Sequence, residues 1–221
     1  MSDIMGLSKL QDRVREKLGI KRVILVPGSC DENGSLLKDV TRYGCEYFLG
    51  ILKDGDIVSI TGGSTMLEFS NVIKTDKRYP NSTIVPARGS MGTDVEMQSN
   101  NIVASISKKL HSNCKLLHIP DELDESAMKT LSQVPEIKTT LEYIKRTDIL
   151  VFSIGRADVM AKRRKLPEDK VDEILSKNAV GEAFGYYFNK DGEIVYKLNT
   201  VGIDLETVKQ VKETIAKIGR A

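Results

Sequence analysis

Short apolar runs alternate with amphipathic segments along the whole chain. A run of about four to eight apolar residues between turn signals is typical of a strand buried on both faces of a sheet. We therefore predict buried strands at residues 22–27, 57–60, 82–85, 115–119 and 148–154.

Between these runs, apolar residues recur at roughly every third or fourth position, which is the period of an amphipathic helix. Asp204 is a suitable N-cap for the last of these segments, and Pro135 is tolerated at the start of another. We predict helices at residues 7–18, 37–51, 94–110, 135–145, 162–177 and 204–218, and one that follows the loop 61–65 and runs to Val72.

Strands that alternate with helices imply a parallel sheet covered by helices on both faces. Residues 185–196 differ, because aromatic and β-branched residues flank the turn sequence at residues 189–192, which indicates a β-hairpin. We predict an α/β fold, a doubly wound and mostly parallel sheet with a late hairpin. With no linker or repeat in sight, residues 1–221 are expected to form one domain.

Composition argues against direct nucleic-acid binding by this chain. Its 221 residues carry a net charge of only +2, whereas a DNA-binding domain usually shows a clear basic excess. Aromatic residues make up 5% and Trp is absent, whereas a surface that stacks on single-stranded bases needs more aromatic side chains.

The cysteines Cys30, Cys45 and Cys114 are widely spaced and form no Cys-x-x-Cys pair, so neither a disulfide framework nor a zinc ribbon is indicated. His111 and His118 lack metal-ligand spacing with other residues, and we predict no metal, cofactor or catalytic residue. Neither a signal peptide in the first ten residues nor a membrane-length apolar stretch is apparent, and we expect a cytoplasmic protein.

The loop Thr-Gly-Gly-Ser-Thr at residues 61–65 follows a predicted strand and precedes a helix. Ligands of open parallel sheets bind at this edge. Gly62 and Gly63 let the backbone approach an anion, the amides of the next helix point at it, and Ser64 and Thr65 add hydroxyls. The loop is neither a Walker A sequence nor a dinucleotide fingerprint. It could bind phosphate or simply be a tight turn that needs glycine.

Several charged residues are further candidates. Arg88 follows the next strand and could grip a phosphate through two parallel hydrogen bonds, or form a surface ion pair. Arg163 and Arg164 belong to the basic run 162–165, which could receive a second phosphate or be a solvated helix face. Glu182 lies in an apolar, glycine-rich stretch and needs a partner, either sugar hydroxyls or a neighbouring arginine.

Several of these motifs together resemble the sugar-binding domain of SorC-type transcriptional regulators. The likeness runs from about residue 7 to residue 215, and the motifs keep their order and spacing. They lie at residues 61–65, 85–89, 94–98, 154–155, 160–164 and 180–192.

The resemblance implies the fold of ribose-5-phosphate isomerase and glucosamine-6-phosphate deaminase, used for sensing instead of catalysis. The effector would be a phosphorylated sugar, with fructose 1,6-bisphosphate the leading choice. Its binding would alter contacts in a homo-oligomer and weaken operator binding by a repressor of glycolytic or other carbohydrate genes. The implied effector contacts are Gly62, Gly63, Ser64, Thr65 and Arg88 at one phosphate, Gln98 and Glu182 at the sugar hydroxyls, and Arg163 and Arg164 at the other phosphate.

In the family, a DNA-reading module precedes this domain, and the chain continues past residue 215 into a strand, a Gly-Gly loop with a phosphate-binding lysine, and a final helix. We expect DNA contact to come from a module missing here, and this chain to be a fragment or to have a different tail. Two alternatives stay open: a sugar-phosphate isomerase or deaminase with Glu182 as the base, and a scaffold that only dimerises.

Overall fold

The structure, a computed structural model, describes residues 2–28, 35–91 and 94–218. The helices are α1 (Ser2–Leu18), α2 (Leu36–Ile51), α3 (Ser64–Val72), α4 (Ser99–Leu110), α5 (Glu125–Leu131), α6 (Pro135–Lys145), α7 (Ala157–Arg163), α8 (Glu168–Ser176) and α9 (Leu205–Gln210). The strands are β1 (Ile57–Ile60), β2 (Thr83–Pro86), β3 (Asn113–Cys114), β4 (Ile149–Arg156), β5 (Ala179–Ala183), β6 (Tyr186–Asn189), β7 (Ile194–Lys197) and β8 (Glu213–Ile218).

A mostly parallel sheet forms the centre of the fold, as predicted. β1 pairs in parallel with both β2 and β4, β3 pairs in parallel with β2, and β8 pairs in parallel with β4. At its carboxyl end β4 changes partner, because Gly155 and Arg156 pair antiparallel with β5. The antiparallel strands β6 and β7 follow, so the predicted late hairpin is confirmed and is joined to the sheet.

Helices cover both faces of the parallel strands. On β4, Ile149 and Val151 enter a core cluster with α2, α3 and α4, whereas Leu150 enters a second cluster on the other face with Ile144 of α6. This division follows from the alternation of side chains along a strand, and it explains why the strands are apolar throughout. A third cluster, which contains Tyr187, lies between α7, α8 and the hairpin.

The prediction of one helix over residues 204–218 is wrong. Asp204 does cap a helix, since its side chain accepts a hydrogen bond from the N–H of Thr207, but that helix ends at Gln210. Residues 213–218 form β8 and alternate between partly buried and exposed. The apolar residues of this segment fit a helical period. They form a strand instead, because the edge of β4 supplies hydrogen-bond partners for their backbone groups.

Other predicted boundaries also need correction. Residues 22–27 do not form a strand, and the N–H of Leu25 is bonded to the side chain of Gln11 instead. The strand expected at 115–119 is displaced to β3, although Leu117 and Ile119 are buried as expected. The helix expected from residue 94 begins at Ser99, and the one expected at 162–177 is divided into α7 and α8.

Among the described residues, no helix combines the length and the apolar character needed to cross a membrane. Cys45 and Cys114 are free thiols, the first buried and the second exposed. Cys30 lies outside the described residues.

Candidate functional site

A cavity of about 490 Å³ lies beyond the carboxyl ends of β1, β2 and β4. This is the edge at which open parallel sheets bind ligands. All of the residues predicted for the site line this one cavity: Gly62, Gly63, Ser64, Thr65, Arg88, Gln98, Arg163, Arg164 and Glu182.

The loop after β1 needs its glycines for packing and for backbone geometry. A Cβ on Gly62 would lie 2.7 Å from the carbonyl oxygen of Met97, and Gly63 has φ +106°. The N–H of Gly63 donates to the same Met97 oxygen, at 2.9 Å. The tight-turn interpretation is therefore correct, and it does not displace the anion-site interpretation.

The first turn of α3 leaves backbone donors at the cavity. Gly63 is the N-cap residue, and the first hydrogen bond within the helix runs from the N–H of Leu67 to the carbonyl of Gly63. The N–H groups of Ser64 and Thr65 precede that bond and have no acceptor inside the helix. Both residues line the cavity, so an anion there can accept from their amides and hydroxyls.

Arg88 is anchored by a buried carboxylate. Its Nε donates to Oδ1 of Asp121 at 2.9 Å, and its Nη2 donates to Oδ2 at 2.5 Å. Nη1 has only a long contact of 3.5 Å with Glu182, so its hydrogens remain available to a ligand in the cavity. Arg88 is thus in an ion pair, but a buried one at the cavity. Asp121 was not among the predicted site residues, although an acidic residue two positions after the apolar run 115–119 could have indicated it.

Arg164 belongs to the same buried ion cluster. Its side chain is 1% exposed, and it contacts Asp121 at 2.8 Å, Glu122 at 3.2 Å and Glu182 at 3.1 Å. Burial opposes the charged form, but the carboxylates of Glu182 and Asp121 hold the pKa of Arg164 above its usual value. Its Nε is buried without a hydrogen-bond partner. The expected contact of Arg164 with a phosphate remains a prediction.

Glu182 lines the cavity and bonds to the protein through one of its two carboxylate oxygens. Its Oε1 accepts from Arg88, from Arg164 and, at 2.6 Å, from the N–H of Gly185. The described residues place no hydrogen bond on Oε2. The side chain is 4% exposed, so an arginine partner compensates its charge while Oε2 remains an unused acceptor.

The side chain of Gln98, the N-cap residue of α4, bonds to the backbone of Met91. Its Oε1 accepts from the N–H of Met91 at 3.1 Å, and its Nε2 donates to the carbonyl of Met91 at 2.9 Å. Both ends of the amide therefore hold the loop, and its expected contact with sugar hydroxyls remains a prediction.

The cavity carries an excess of positive charge. The cationic side chains that line it are Arg88, Arg156, Arg163, Arg164, Lys165 and Lys217, and the acidic ones are Asp94, Asp121 and Glu182. Within the described part of the chain, Arg163, Lys165 and Lys217 form no ion pair. A concave surface with this balance favours an anionic ligand. The same part of the chain contains no group of acidic, cysteine or histidine side chains that could hold a metal ion.

Residues 2–218 match the family model described as "Putative sugar-binding domain". The central glycolytic genes regulators of Priestia megaterium (strain DSM 319 / IMG 1521) and Bacillus subtilis (strain 168) are 36% and 35% identical to the chain over 99% of its length. The chain spans 64% of the length of each of these relatives.

A solved structure shows the same fold. The SorC family transcriptional regulator from Enterococcus faecalis superposes with a TM-score of 0.85 at 32% identity, over 95% of this chain and 86% of that one. These matches confirm the resemblance that the motifs indicated.

Proposed function

Because this chain belongs to the family of sugar-binding domains found in SorC-type transcriptional regulators, we propose that it senses a phosphorylated sugar. Fructose 1,6-bisphosphate is the leading candidate, since the cavity offers anion-binding groups at two places. One observation carries the proposal: every site residue chosen from the sequence lines the same cationic cavity, with a volume in the range typical of small-molecule sites.

We assign one phosphate to the loop after β1. The amides and hydroxyls of Ser64 and Thr65 would surround it, and Nη1 of Arg88 would exchange its long contact with Glu182 for a phosphate oxygen. Charge-assisted bonds of this kind are about twice as strong as neutral ones.

We assign the other phosphate to Arg163, which is exposed at the end of α7 and lines the cavity without an ion pair in the described chain. Between the phosphates, Oε2 of Glu182 would accept hydrogen bonds from sugar hydroxyls. Gln98 and Arg164 would act on the ligand by holding the loop and Glu182, in addition to the direct contacts predicted from the family.

In a regulator, binding of the effector would be coupled to binding of operator DNA. We propose that the effector alters contacts between subunits of a homo-oligomer and weakens operator binding by a repressor of glycolytic genes. The near-neutral composition supports placing the operator contact in another part of such a regulator.

Sensing is favoured over catalysis by the relatives with matching sequences, which are named as regulators. Glu182 is the candidate base of an isomerase. Its Oε1 is bonded to Arg88, Arg164 and Gly185, so only Oε2 could act on a sugar.

The test is a thermal-shift and calorimetry panel with fructose 1,6-bisphosphate, fructose 6-phosphate, glucose 6-phosphate and unphosphorylated fructose. A ligand at a hundred times its Kd adds about 2.7 kcal/mol to the free energy of unfolding. We expect the bisphosphate to stabilise the protein most and fructose not at all.

Arg163→Gln should weaken bisphosphate binding about tenfold, because it removes a charge-assisted bond. The matched control is Arg78→Gln, an exposed arginine outside the cavity, which should bind as the wild type does. Absence of a shift with every sugar phosphate at millimolar concentration would overturn the proposal.

A further inference from the structure

The first part of the chain lies on the surface and contributes to none of the cores. Within the described residues, the three core clusters contain no residue of α1 or of the segment 20–27. The exposed fractions of Leu10, Leu18, Ile20 and Ile24 are 45%, 56%, 43% and 36%. A helix with an apolar face normally buries that face against another element. Apolar side chains that stay exposed together are a candidate contact surface for another protein.

A groove of about 340 Å³ lies between this segment and α2. It is lined by Arg22 and Ile24 on one side and by Tyr43, Glu46, Tyr47, Gly50 and Ile51 of α2 on the other. Tyr43, Tyr47 and Gly50 follow at helical spacing on the face of α2 opposite to the buried Cys45 and Phe48. The guanidinium of Arg22 lies over the ring of Tyr47, 5.4 Å from its centroid. Tyrosine and arginine are enriched at protein interfaces.

Gly50 has no role in the packing of the described chain. It lies in the last turn of α2 and is exposed, and a Cβ built on it would meet no atom within 4 Å. Glycine destabilises a helix relative to alanine, because it loses more backbone entropy on folding. A position without a side chain allows another molecule to approach the backbone of the helix closely.

The groove holds one charge of each sign that is not compensated within the described chain. Arg22 and Glu46 both line it, and neither forms an ion pair there. The adjacent Arg42 pairs with Asp39 at 3.5 Å and adds no net charge. A neutral balance gives little attraction to nucleic acid, whose binding depends on a basic surface. A two-fold axis through the groove would instead set Arg22 against Glu46 of the partner subunit, and symmetry would form the same pair a second time.

We propose that the groove between residues 22–24 and α2 is a subunit interface, at which a second copy of this chain binds with two-fold symmetry. Ile24 and the two tyrosines supply the apolar contact, Gly50 allows close approach, and the two Arg22–Glu46 pairs fix the relative position of the subunits. The inference rests on the proposed function only for the existence of a homo-oligomer. It requires no sugar ligand, since no residue lines both the groove and the sugar cavity.

The experiment measures the association of the chain by sedimentation equilibrium over a wide range of protein concentration. Arg22→Glu and Glu46→Arg each set like charges against each other, so each should raise the dissociation constant of the subunits at least about tenfold. The double variant exchanges the two signs and should recover most of the affinity. Glu142→Arg, which reverses an exposed charge on α6 outside the groove, is the control and should associate as the wild type does.

Gly50→Gln is a second variant that does not depend on the charges. The new side chain fills the space through which the partner approaches, so association should weaken. The separated subunit should melt at a higher temperature, because glutamine is the better helix former. A loss of association in this variant together with a lower melting temperature of the separated subunit would count against the interface.

The outcomes separate this inference from the proposed function. A wild-type chain that stays monomeric at every concentration would overturn the interface and leave the groove to another occupant, such as a further part of a longer regulator. Association that neither single reversal weakens would also overturn it, as would a double variant no better than the single ones. A thermal shift with fructose 1,6-bisphosphate in such a protein would leave sugar sensing intact. Rescue by the double variant, in a protein that binds no sugar phosphate, would support the interface and overturn the proposed function.

Discussion

At the scale of single residues, Asp121 organises the cavity. Its carboxylate receives two bonds from Arg88 and one from Arg164, and the residue is 3% exposed. Glu182 balances the remaining charge of the two guanidiniums. Breaking a buried ion pair by removing one partner is costly because the other charge is left uncompensated.

Asp121→Asn should therefore lower the free energy of unfolding by about 3–5 kcal/mol, measured by urea denaturation. The matched control is Asp158→Asn, which removes the partner of Arg156 in an exposed pair and should cost at most about 1 kcal/mol. Similar small losses in both variants would contradict the view that Asp121 holds two buried arginines.

At the scale of elements, the segment 200–203 fixes the backbone of Arg88. Gly202 forms an antiparallel bridge with Arg88. On either side of it, the N–H of Ile203 donates to Ala87 at 2.7 Å, and the N–H of Gly89 donates to Val201 at 3.0 Å. This short pairing extends the hydrogen bonding of the chain beyond the end of β2. It fixes the backbone from which the side chain of Arg88 enters the cavity lining. A Cβ on Gly202 would lie 2.3 Å from the carbonyl oxygen of Ala87, and its φ is +126°.

Gly202→Ala should destabilise the protein by about 2 kcal/mol or more and weaken sugar-phosphate binding, because the backbone at Arg88 must move. Gly192→Ala is the control, since Gly192 also has a positive φ, +83°, but open space around it. It should cost about 1 kcal/mol and leave binding unchanged. Calorimetry and denaturation on both variants measure the two effects, and equal affinities would disprove the positioning role.

At the scale of the whole molecule, two separate cores each hold an ionisable group in its neutral form. Burial raises the pKa of Cys45 in the first core to about 12 from an ordinary value of 9.0. Burial, with a contribution from Glu182, raises the pKa of Tyr187 in the third core to about 12 from 10.0. The pKa of each group is therefore lower in the unfolded chain than in the folded one, so each loses its proton at a lower pH when the chain unfolds.

Stability should therefore be complete below about pH 8 and fall as the pH rises toward about 12, by about 4 kcal/mol between pH 8 and pH 11. Urea denaturation across this range measures the loss. Cys45→Ala and Tyr187→Phe should each flatten it, whereas Tyr43→Phe at the surface should not. Because the hydroxyl of Tyr187 is buried without a partner, Tyr187→Phe should also retain full stability at neutral pH. An unchanged slope in both core variants would contradict this assignment.

The cavity is likewise a property of the whole molecule. Its lining runs from Thr61, directly after β1, to Lys217 on β8, so β8 completes it.

The sequence by itself determined the alternation of strands and helices, the hairpin, and the glycine loop at residues 61–65. These depend on local period and turn chemistry, which neighbouring residues along the chain specify. It also placed Arg88 at the same sheet edge as that loop, because parallel strands bring their carboxyl ends together.

Only the tertiary structure decided which charges meet and which conformation residues 213–218 adopt. Asp121 joins Arg88 and Arg164 from positions far apart in sequence, and no local pattern specifies such a contact. Residues 213–218 fit a helical period but become β8, because β4 supplies backbone partners along its free edge. Hydrogen bonds and ion pairs between distant segments depend on the assembled sheet, and these contacts bring Lys217 into the cavity.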